Sequence, residues 1–460
     1  MKHLNRTVLD VVGNTPIIKL NKVAKDVASE IYVKLEYMNP GGSVKDRIGA
    51  YMLQKAMEKG HVKPGLSTII EATSGNTGIG LAMFCAVHGL KSIFVLNDKQ
   101  SQEKINNLRA FGAKVIVCPT NVDHDDPRSY YNVAIRLSQS IPHAYYVDQY
   151  NNPDNSEAHF KTTGPEIFEQ THGEFDVLMG GLGTGGTISG SAKYLKGKMP
   201  NLKVVAVDPE GSILGPYKKT GEIVHGKPYM VEGIGQDFFP KNVDFSVIDD
   251  FVSVTDKESF LMTRKLLSQE GIYCGGSCGT AVVGAIKYAK TLKEPKKILV
   301  ILPDSGNRYG SKIFNDDWMK DKGYLDSSFN VQVSEVLTSL GKKKGDVLTI
   351  TENTTVSDAI TLMKENDISQ LPVVAGTQII GVVSENQLLR PLFDGKLAGT
   401  DNVSVAYTRN FQVIDINEML DKVAEALVRK EVVFVTEKSK IVDILTDIDI
   451  LNFMSNQGRY

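Results

Sequence analysis

From residue 30 to about residue 305, short runs rich in Val and Ile alternate with stretches whose apolar residues recur at helical spacing. The strand-like runs are Glu30 to Leu35, Ser67 to Glu71, Ser92 to Asn97, Lys114 to Pro119, Asp176 to Met179, Lys203 to Asp208 and Lys297 to Leu302. Gly49 to Lys59, Gly78 to His88 and Gly190 to Lys198 carry the helical pattern between them. Such alternation predicts a parallel sheet in an α/β fold, whose ligands bind at the carboxyl ends of the strands. The glycine-rich loops that follow strands are therefore where chemistry is expected.

The pattern changes after Trp318. Asp321 to Asn330 is polar and rich in turn formers, and the remainder of the chain carries a weak internal repeat. TVSDAITLMKENDISQLPVV followed by IIGVVSENQLL is echoed by EMLDKVAEALVRKEVVFV followed by KIVDILTDIDIL. Aligning Ser384 with Thr446, an offset of 62 residues, also aligns Gly381 with Asp443 and Gln387 with Asp449. Each copy reads as a helix, two short strands and a helix. The expected organisation is a large unit over 1–325, a linker over 326–336, and repeat units over 337–395 and 396–460.

Composition narrows the class of partner. With 52 Lys and Arg against 54 Asp and Glu, the net charge of −2 on 460 residues gives no polyelectrolyte character, which argues against nucleic acid and anionic membranes. No run approaches the roughly 20 apolar residues of a membrane-spanning helix, and the first residues lack the apolar centre of a secretion signal. A soluble cytoplasmic protein is expected. Cys85, Cys118, Cys274 and Cys278 are too few and scattered for a disulfide framework and read as reduced thiols. Cys274 and Cys278 have no nearby His or second Cys pair, so no metal site is expected.

Three loops carry candidate chemistry. In FDVLMGGLGTGGTISG, Gly181, Gly183 and Gly186 have dinucleotide-fingerprint spacing, and Asp208 ends the next strand where a ribose-binding acid would stand. Physically the loop shows only small residues before a helix, plus the Thr184 and Thr187 hydroxyls, and it suits the phosphate of any cofactor. Tyr37 to Arg47 places Lys45 at a turn-to-helix junction, with Ser43 as a possible cap and Asp46 in the first turn. A helix N-terminus disfavours an ammonium, which a Schiff-base lysine needs. Glu71 to Gly78 offers Thr73, Ser74, Asn76 and Thr77 at another helix start, a cradle for a carboxylate. A placed lysine, a carboxylate cradle and a phosphate cradle match pyridoxal phosphate with an amino acid. NAD has no use for the first two.

GGSVKDR, TSGNTGIG, GTGGTISG, DPEGS, VEGIGQDF, CGGSCG and ILPDS occur in the order found in pyridoxal-phosphate β-replacement enzymes of the tryptophan-synthase-β fold type, also called fold type II. Over roughly residues 5 to 325 the chain resembles that family, and DPEGS, Val231 to Gly235 and Gly275 to Ser277 resemble its cystathionine β-synthase branch more than its cysteine synthase branch. Thr162 to Ile167 resembles cysteine synthases, and Asn97 to Ser101 departs from the Pro- and Met-containing loop usual in both. The resemblance implies a hydro-lyase reaction in which serine and homocysteine give cystathionine and water, within transsulfuration and cysteine biosynthesis, with hydrogen sulfide as a side product. O-acetylserine with sulfide is the alternative. A sensor with a silent catalytic half and an NAD oxidoreductase are the rivals from other classes.

The same resemblance implies the site. Lys45 would carry the cofactor and act as base; Gly183, Thr184, Gly185, Gly186 and Thr187 would hold the phosphate, Asn76 the ring 3-oxygen and Ser277 the pyridine nitrogen. A neutral serine there would leave the ring a weaker electron sink than an aspartate would. Thr73, Ser74, Gly75, Thr77, Gln149 and Gly233 would bind substrate, with Tyr150 and Glu232 on the side of the second substrate. Animal relatives carry an N-terminal haem segment with Cys and His ligands; only His3 and no Cys precede Lys45, so no haem is expected. The C-terminal repeat resembles a pair of CBS regulatory motifs, a Bateman module. CBS pairs bind adenosyl ligands through a G-h-h-[ST]-x-x-D pattern, of which the second copy keeps Thr446 and Asp449 while the first has Gln387 in place of the acid. One site, for S-adenosylmethionine or else AMP or ATP, is expected, in a homodimer or homotetramer; a purely structural module is the alternative.

Overall fold

The computed structural model describes residues 6–122, 126–325, 331–342, 347–376, 378–429 and 432–456. The chain forms two compact units, Met1–Tyr324 and Leu325–Tyr460. In the first unit the strands are β1 (Ile17–Lys19), β2 (Glu30–Leu35), β3 (Thr68–Ala72), β4 (Lys91–Asn97), β5 (Lys114–Cys118), β6 (Ala144–Tyr146), β7 (Val177–Gly181), β8 (Lys203–Pro209), β9 (Asp250–Val254) and β10 (Lys297–Leu302). All seven strand-like runs are strands, with ends shifted by at most two residues. β1, β6 and β9 are additional, two of them only three residues long and too short to show a period.

These strands make two sheets where a single parallel one was expected. The larger has the order β1-β2-β10-β7-β8-β9, parallel except for β1; the smaller, β5-β4-β3-β6, is wholly parallel. Such strands read as near-continuous apolar runs because both faces are covered. On β10, Ile298, Val300 and Leu302 pack against the helix Gly276–Thr291, while Leu299 and Ile301 share a cluster with Ile188, Ala192 and Leu195 of the helix Gly186–Lys198. On the smaller sheet, Ile69, Phe94 and Leu96 bury the helices Lys45–Glu58 and Asn76–His88, and Ile70, Ala72 and Val95 pack against Ala134. The fold is of the expected α/β class, with its parallel strands shared between two helix-covered sheets.

All three helices that follow candidate loops begin two to four residues before the apolar pattern does, at Lys45, Asn76 and Gly186. Their first turns consist of small and polar residues that carry no hydrophobic period. Two of them cross at glycine. A Cβ on Gly49 would stand 2.5 Å from the Gly80 carbonyl carbon, and one on Gly80 would stand 2.7 Å from the Lys45 carbonyl oxygen. This approach brings the Lys45 and Asn76 helices into contact near their first turns.

The second unit repeats one fold. β11 (Ile350–Thr351), β12 (Gln370–Ala375) and β13 (Gln378–Ser384) form one three-stranded sheet; β14 (Phe411–Asp415), β15 (Val432–Glu437) and β16 (Lys440–Leu445) form the other. In each, the first pair is parallel and the second an antiparallel hairpin. The hairpin bulges fall between Val373 and Val374 and between Val435 and Thr436, the same 62-residue offset as the sequence repeat. β11 and β14 add a strand to each copy that the pattern did not predict. A helix, Val333–Ser339, begins inside the stretch expected as linker, and Val333, Val336 and Leu337 enter the core of the second repeat beside Ile414 and Leu420. Residues 326–330 of that stretch lie outside the described residues. No helix among the described residues is long and apolar enough to cross a membrane.

Candidate active site

Lys45 is the first residue of its helix, whose N-cap is Val44 without a side-chain cap; Ser43 Oγ accepts from the Lys45 amide at 3.2 Å instead. Burial pushes the Lys45 amine down to about 8, against the attraction of Asp304 and Glu36. Its helix is held by a buried ion network. Arg47 donates to Glu36 Oε2 at 2.8 Å and to Glu166 Oε2 at 2.9 Å, and Lys34 Nζ stands 2.6 Å from Glu166 Oε1. The Thr162–Ile167 motif thus supplies, through Glu166, an anchor for the turn that carries Lys45.

Lys45 shares one enclosed cavity with Gly183, Thr184, Gly185, Thr187 and Gly233. Thr184 Oγ1 accepts from Asn155 Nδ2 at 3.1 Å, which leaves its own proton to donate. Thr187 Oγ1 lies 3.1 Å from His159 Nε2, whose ring burial keeps well below the usual histidine range, with Lys45 and Arg47 adding to the effect. A Cβ on Gly183 would meet the Gly233 carbonyl oxygen at 2.4 Å, so only glycine lets this loop lie against the segment that bears Glu232. An amine, two hydroxyls and a helix N-terminus lining one cavity suit pyridoxal phosphate: the glycine loop would hold its phosphate and Lys45 would carry its reactive carbon. Asp208 takes no part in this cavity. Burial lifts its carboxyl to about 6, and Oδ2 accepts from the Gly215 amide at 3.0 Å, which answers the dinucleotide reading of the loop.

The carboxylate cradle divides in two. Ser74 and Gln149 line a wider cleft that also contains Lys45, Tyr150 and Gly233. Thr73 and Thr77 are buried and shape the loop: Thr73 Oγ1 accepts from the amides of Gly75 and Gly78, and Thr77 Oγ1 donates to Gln149 Oε1 at 2.6 Å. Gly75 sits at φ +110°, where a side chain would be strained.

Asn76 Nδ2 donates to Asp304 Oδ2 at 2.8 Å, and its Oδ1 accepts from Arg308. Asp304 also takes the Tyr309 hydroxyl at 2.6 Å, and its backbone receives the Gly275 amide at 3.0 Å, two residues from Ser277. Ser277 is buried at the start of the helix Gly276–Thr291 and does not line the enclosed cavity. Asp304 and Arg308 therefore join the loops of Lys45, Asn76 and Ser277, a role their sequence surroundings do not signal beyond the ILPDS motif itself.

On the far side of the cleft Glu232 lies between Lys104, 2.5 Å from Oε2, and Lys312, 2.7 Å from Oε1. Burial works against ionisation, yet the two ammoniums hold Glu232 below the usual carboxylate range. Lys99 stands 4.6 Å over the Tyr229 ring. Tyr150 packs edge-on against Phe238 at 5.2 Å and Tyr131 at 5.5 Å. The Asn97 to Ser101 loop that departs from the usual pattern lines this cleft through Asn97, Lys99 and Gln100. In the second unit, Thr446 Oγ1 donates to Asp449 Oδ2 at 2.7 Å, and Lys342 Nζ reaches Asp449 Oδ1 at 3.0 Å and Asp443 Oδ1 at 3.3 Å. Among the described residues no group of three His, Cys, Asp or Glu side chains suits a metal.

Fold and site together define a pyridoxal-phosphate-dependent enzyme acting on amino acids. The family described as "Pyridoxal-phosphate dependent enzyme" matches residues 8–304, and "CBS domain" matches residues 333–394. The chain is 39% identical to the cystathionine β-synthase of Dictyostelium discoideum, over 97% of this chain and 92% of the relative. It is 37% identical to that of Saccharomyces cerevisiae, over 97% of both. Its structure is similar to that of an O-acetylserine-dependent cystathionine β-synthase from Helicobacter pylori, with TM-score 0.61 and 40% identity over 67% of this chain and 98% of the other. The chain belongs to the cystathionine β-synthase family.

Proposed function

We propose that the enzyme condenses L-serine with L-homocysteine to give L-cystathionine and water. The observation that carries this reading is one cavity shared by the Lys45 amine and the glycine-loop donors, next to a cleft lined by Ser74, Gln149, Tyr150 and Glu232. When bound, pyridoxal phosphate supplies the electron sink that makes the substrate Cα proton removable. Gly183 to Thr187 hold the phosphate end, with Asn76 and Ser277 reserved for the ring. Ser74 and Gln149, backed by Thr73, Gly75 and Thr77, bind the serine carboxylate, and Gly233 closes the cleft. Lys45, with its amine tuned by burial, takes the proton from serine Cα and returns it at the end. The β-hydroxyl takes up a proton and leaves as water, and the homocysteine thiol gives up one proton as its sulfur bonds to the β-carbon, so the protons balance. Tyr150 and Glu232 stand on the side from which homocysteine arrives.

Purified enzyme given serine with homocysteine should form cystathionine faster than it forms cysteine from O-acetylserine with sulfide, by amino-acid chromatography. The reverse order would assign it to the cysteine synthases. We infer that pyridoxal phosphate alone serves the reaction and that no haem is needed, and a haem Soret band in the purified protein would contradict this. The four cysteines are buried free thiols, in keeping with a cytoplasmic enzyme. Exposed Leu389, Phe393 and Val428 on the second unit support a homodimer or homotetramer. S-adenosylmethionine is the effector we assign to Thr446 and Asp449, ahead of AMP or ATP.

A further inference from the structure

Glu71 is the last residue but one of the strand that delivers the Thr73–Asn76 loop, and it is fully buried. Its Oε1 accepts from the Gln149 amide at 3.3 Å; its Oε2 has no hydrogen-bond partner, and Glu71 forms no ion pair with a described residue. A carboxylate in such a place is costly unless it is protonated, and burial does push this carboxyl well above its ordinary range, with the Asp148 charge adding to the effect and the backbone amides of Gln149 and Asp148 opposing it. The ionisable groups that face it are Asp148, Tyr145, Tyr146 and Tyr150, none of them cationic.

The turn above Glu71 is strained. Asp148 has φ +55°, a left-handed conformation uncommon outside glycine, and its carbonyl accepts from the amides of Asn151 and Asn152. Gln149 follows it and is fastened at every polar atom: its carbonyl takes Asn155 Nδ2 at 2.6 Å and Asn242 Nδ2 at 3.1 Å, its Nε2 donates to the Ala72 carbonyl at 2.8 Å, and its Oε1 accepts from Thr77. The amide of Gln149 is the remaining atom, and Glu71 is what holds it.

We propose that Glu71 is a positioning residue for serine binding, an uncharged carboxylic acid that holds the left-handed Asp148–Gln149 turn and so keeps the Gln149 side chain in the wall of the cleft where the substrate carboxylate binds. This rests on the assignment of Gln149 to serine binding. Removing the acid frees the Gln149 amide and relaxes the turn. Lys45 and the glycine loop, which hold the cofactor, are fastened by other contacts.

The test compares Glu71→Gln, Glu71→Ala and Gln149→Ala as holoenzymes, by steady-state kinetics, the pH profile of kcat/KM and the visible absorbance of the bound cofactor. Glu71→Ala is expected to raise KM for serine about tenfold, with cofactor absorbance retained and KM for homocysteine within about twofold of the starting enzyme. Glu71→Gln keeps the accepting oxygen without a charge, and it should keep both KM and the pH profile. A Glu71→Gln enzyme that holds its cofactor but shows the raised KM would overturn the proposal, since the charge would then be needed. So would an unchanged KM in Glu71→Ala beside a raised KM in Gln149→Ala. An unchanged KM in Gln149→Ala removes the assignment of Gln149 itself, and the proposal with it.

Discussion

Lys45 shows how one side chain acquires its chemistry from its surroundings. Its amine, brought down to about 8 by burial, must be neutral to attack the cofactor. The rate at which apo-enzyme captures added pyridoxal phosphate should therefore rise about tenfold per pH unit below 8 and level off above it, as stopped-flow absorbance will show. Lys45→Ala should lose the visible absorbance of the bound cofactor and at least about 100-fold of turnover. Retention of both would remove Lys45 from the mechanism. Glu232 is the second residue-scale case, because it neutralises Lys104, whose side chain is fully buried. Glu232→Ala should destabilise the protein by about 3 kcal/mol in urea unfolding, since it strands a buried ammonium. Its carboxyl is lowered in the folded state, so its contribution is present above the ordinary carboxylate range and lost as pH falls through the folded value. The starting enzyme should accordingly lose more stability than the variant on acidification below about pH 4. Lys45, the Ser74 loop and Gly183 to Thr187 are legible in sequence because their residue types fit one chemistry. Asp304, Arg308 and His159 are not, because their roles consist of contacts with residues far away along the chain.

At the scale of elements, helix starts and crossings set the site. Gly49 and Gly80 let two helices touch, and a methyl on Gly49 would lie 2.5 Å from backbone. Gly49→Ala should cost about 1–3 kcal/mol and weaken cofactor retention by displacing Lys45 relative to Asn76; thermal melts and dialysis of the holoenzyme will measure both. In the second repeat, Lys342 stands on the acid that an adenosyl ligand's ribose would need. Lys342→Ala should tighten S-adenosylmethionine binding, by roughly tenfold if the ion pair competes directly, when measured by calorimetry on the full chain. Equal affinities would mean that the lysine does not obstruct the site. The repeat was visible in sequence through Gly381, Ser384 and Thr446. The helix Val333–Ser339 was not, because its apolar residues are buried by a repeat some 80 residues later in the chain.

For the molecule as a whole, the chain packs as two units, each with its own core. A chain ending at residue 325 should fold, keep its cofactor and make cystathionine within about threefold of the full chain, since each unit buries its own core. It should lose any response to adenosyl ligands in the same assay. The Helicobacter pylori structure, which matches 67% of this chain, has the extent of such a unit.

The sequence by itself determined the alternation of strands and helices, the duplicated C-terminal fold, and the residue types that select pyridoxal phosphate over a dinucleotide. These are local properties: apolar period, glycine spacing and the chemistry of side chains only a few residues apart. Only the tertiary structure decided that the strands divide between two sheets, that Asp304 links three loops, that Glu71 is buried against the Gln149 amide with its other oxygen unpartnered among the described residues, and that Lys342 reaches Asp449. Those facts depend on which distant segments meet and on what burial then does to their charges, and neither is written in any short stretch of chain.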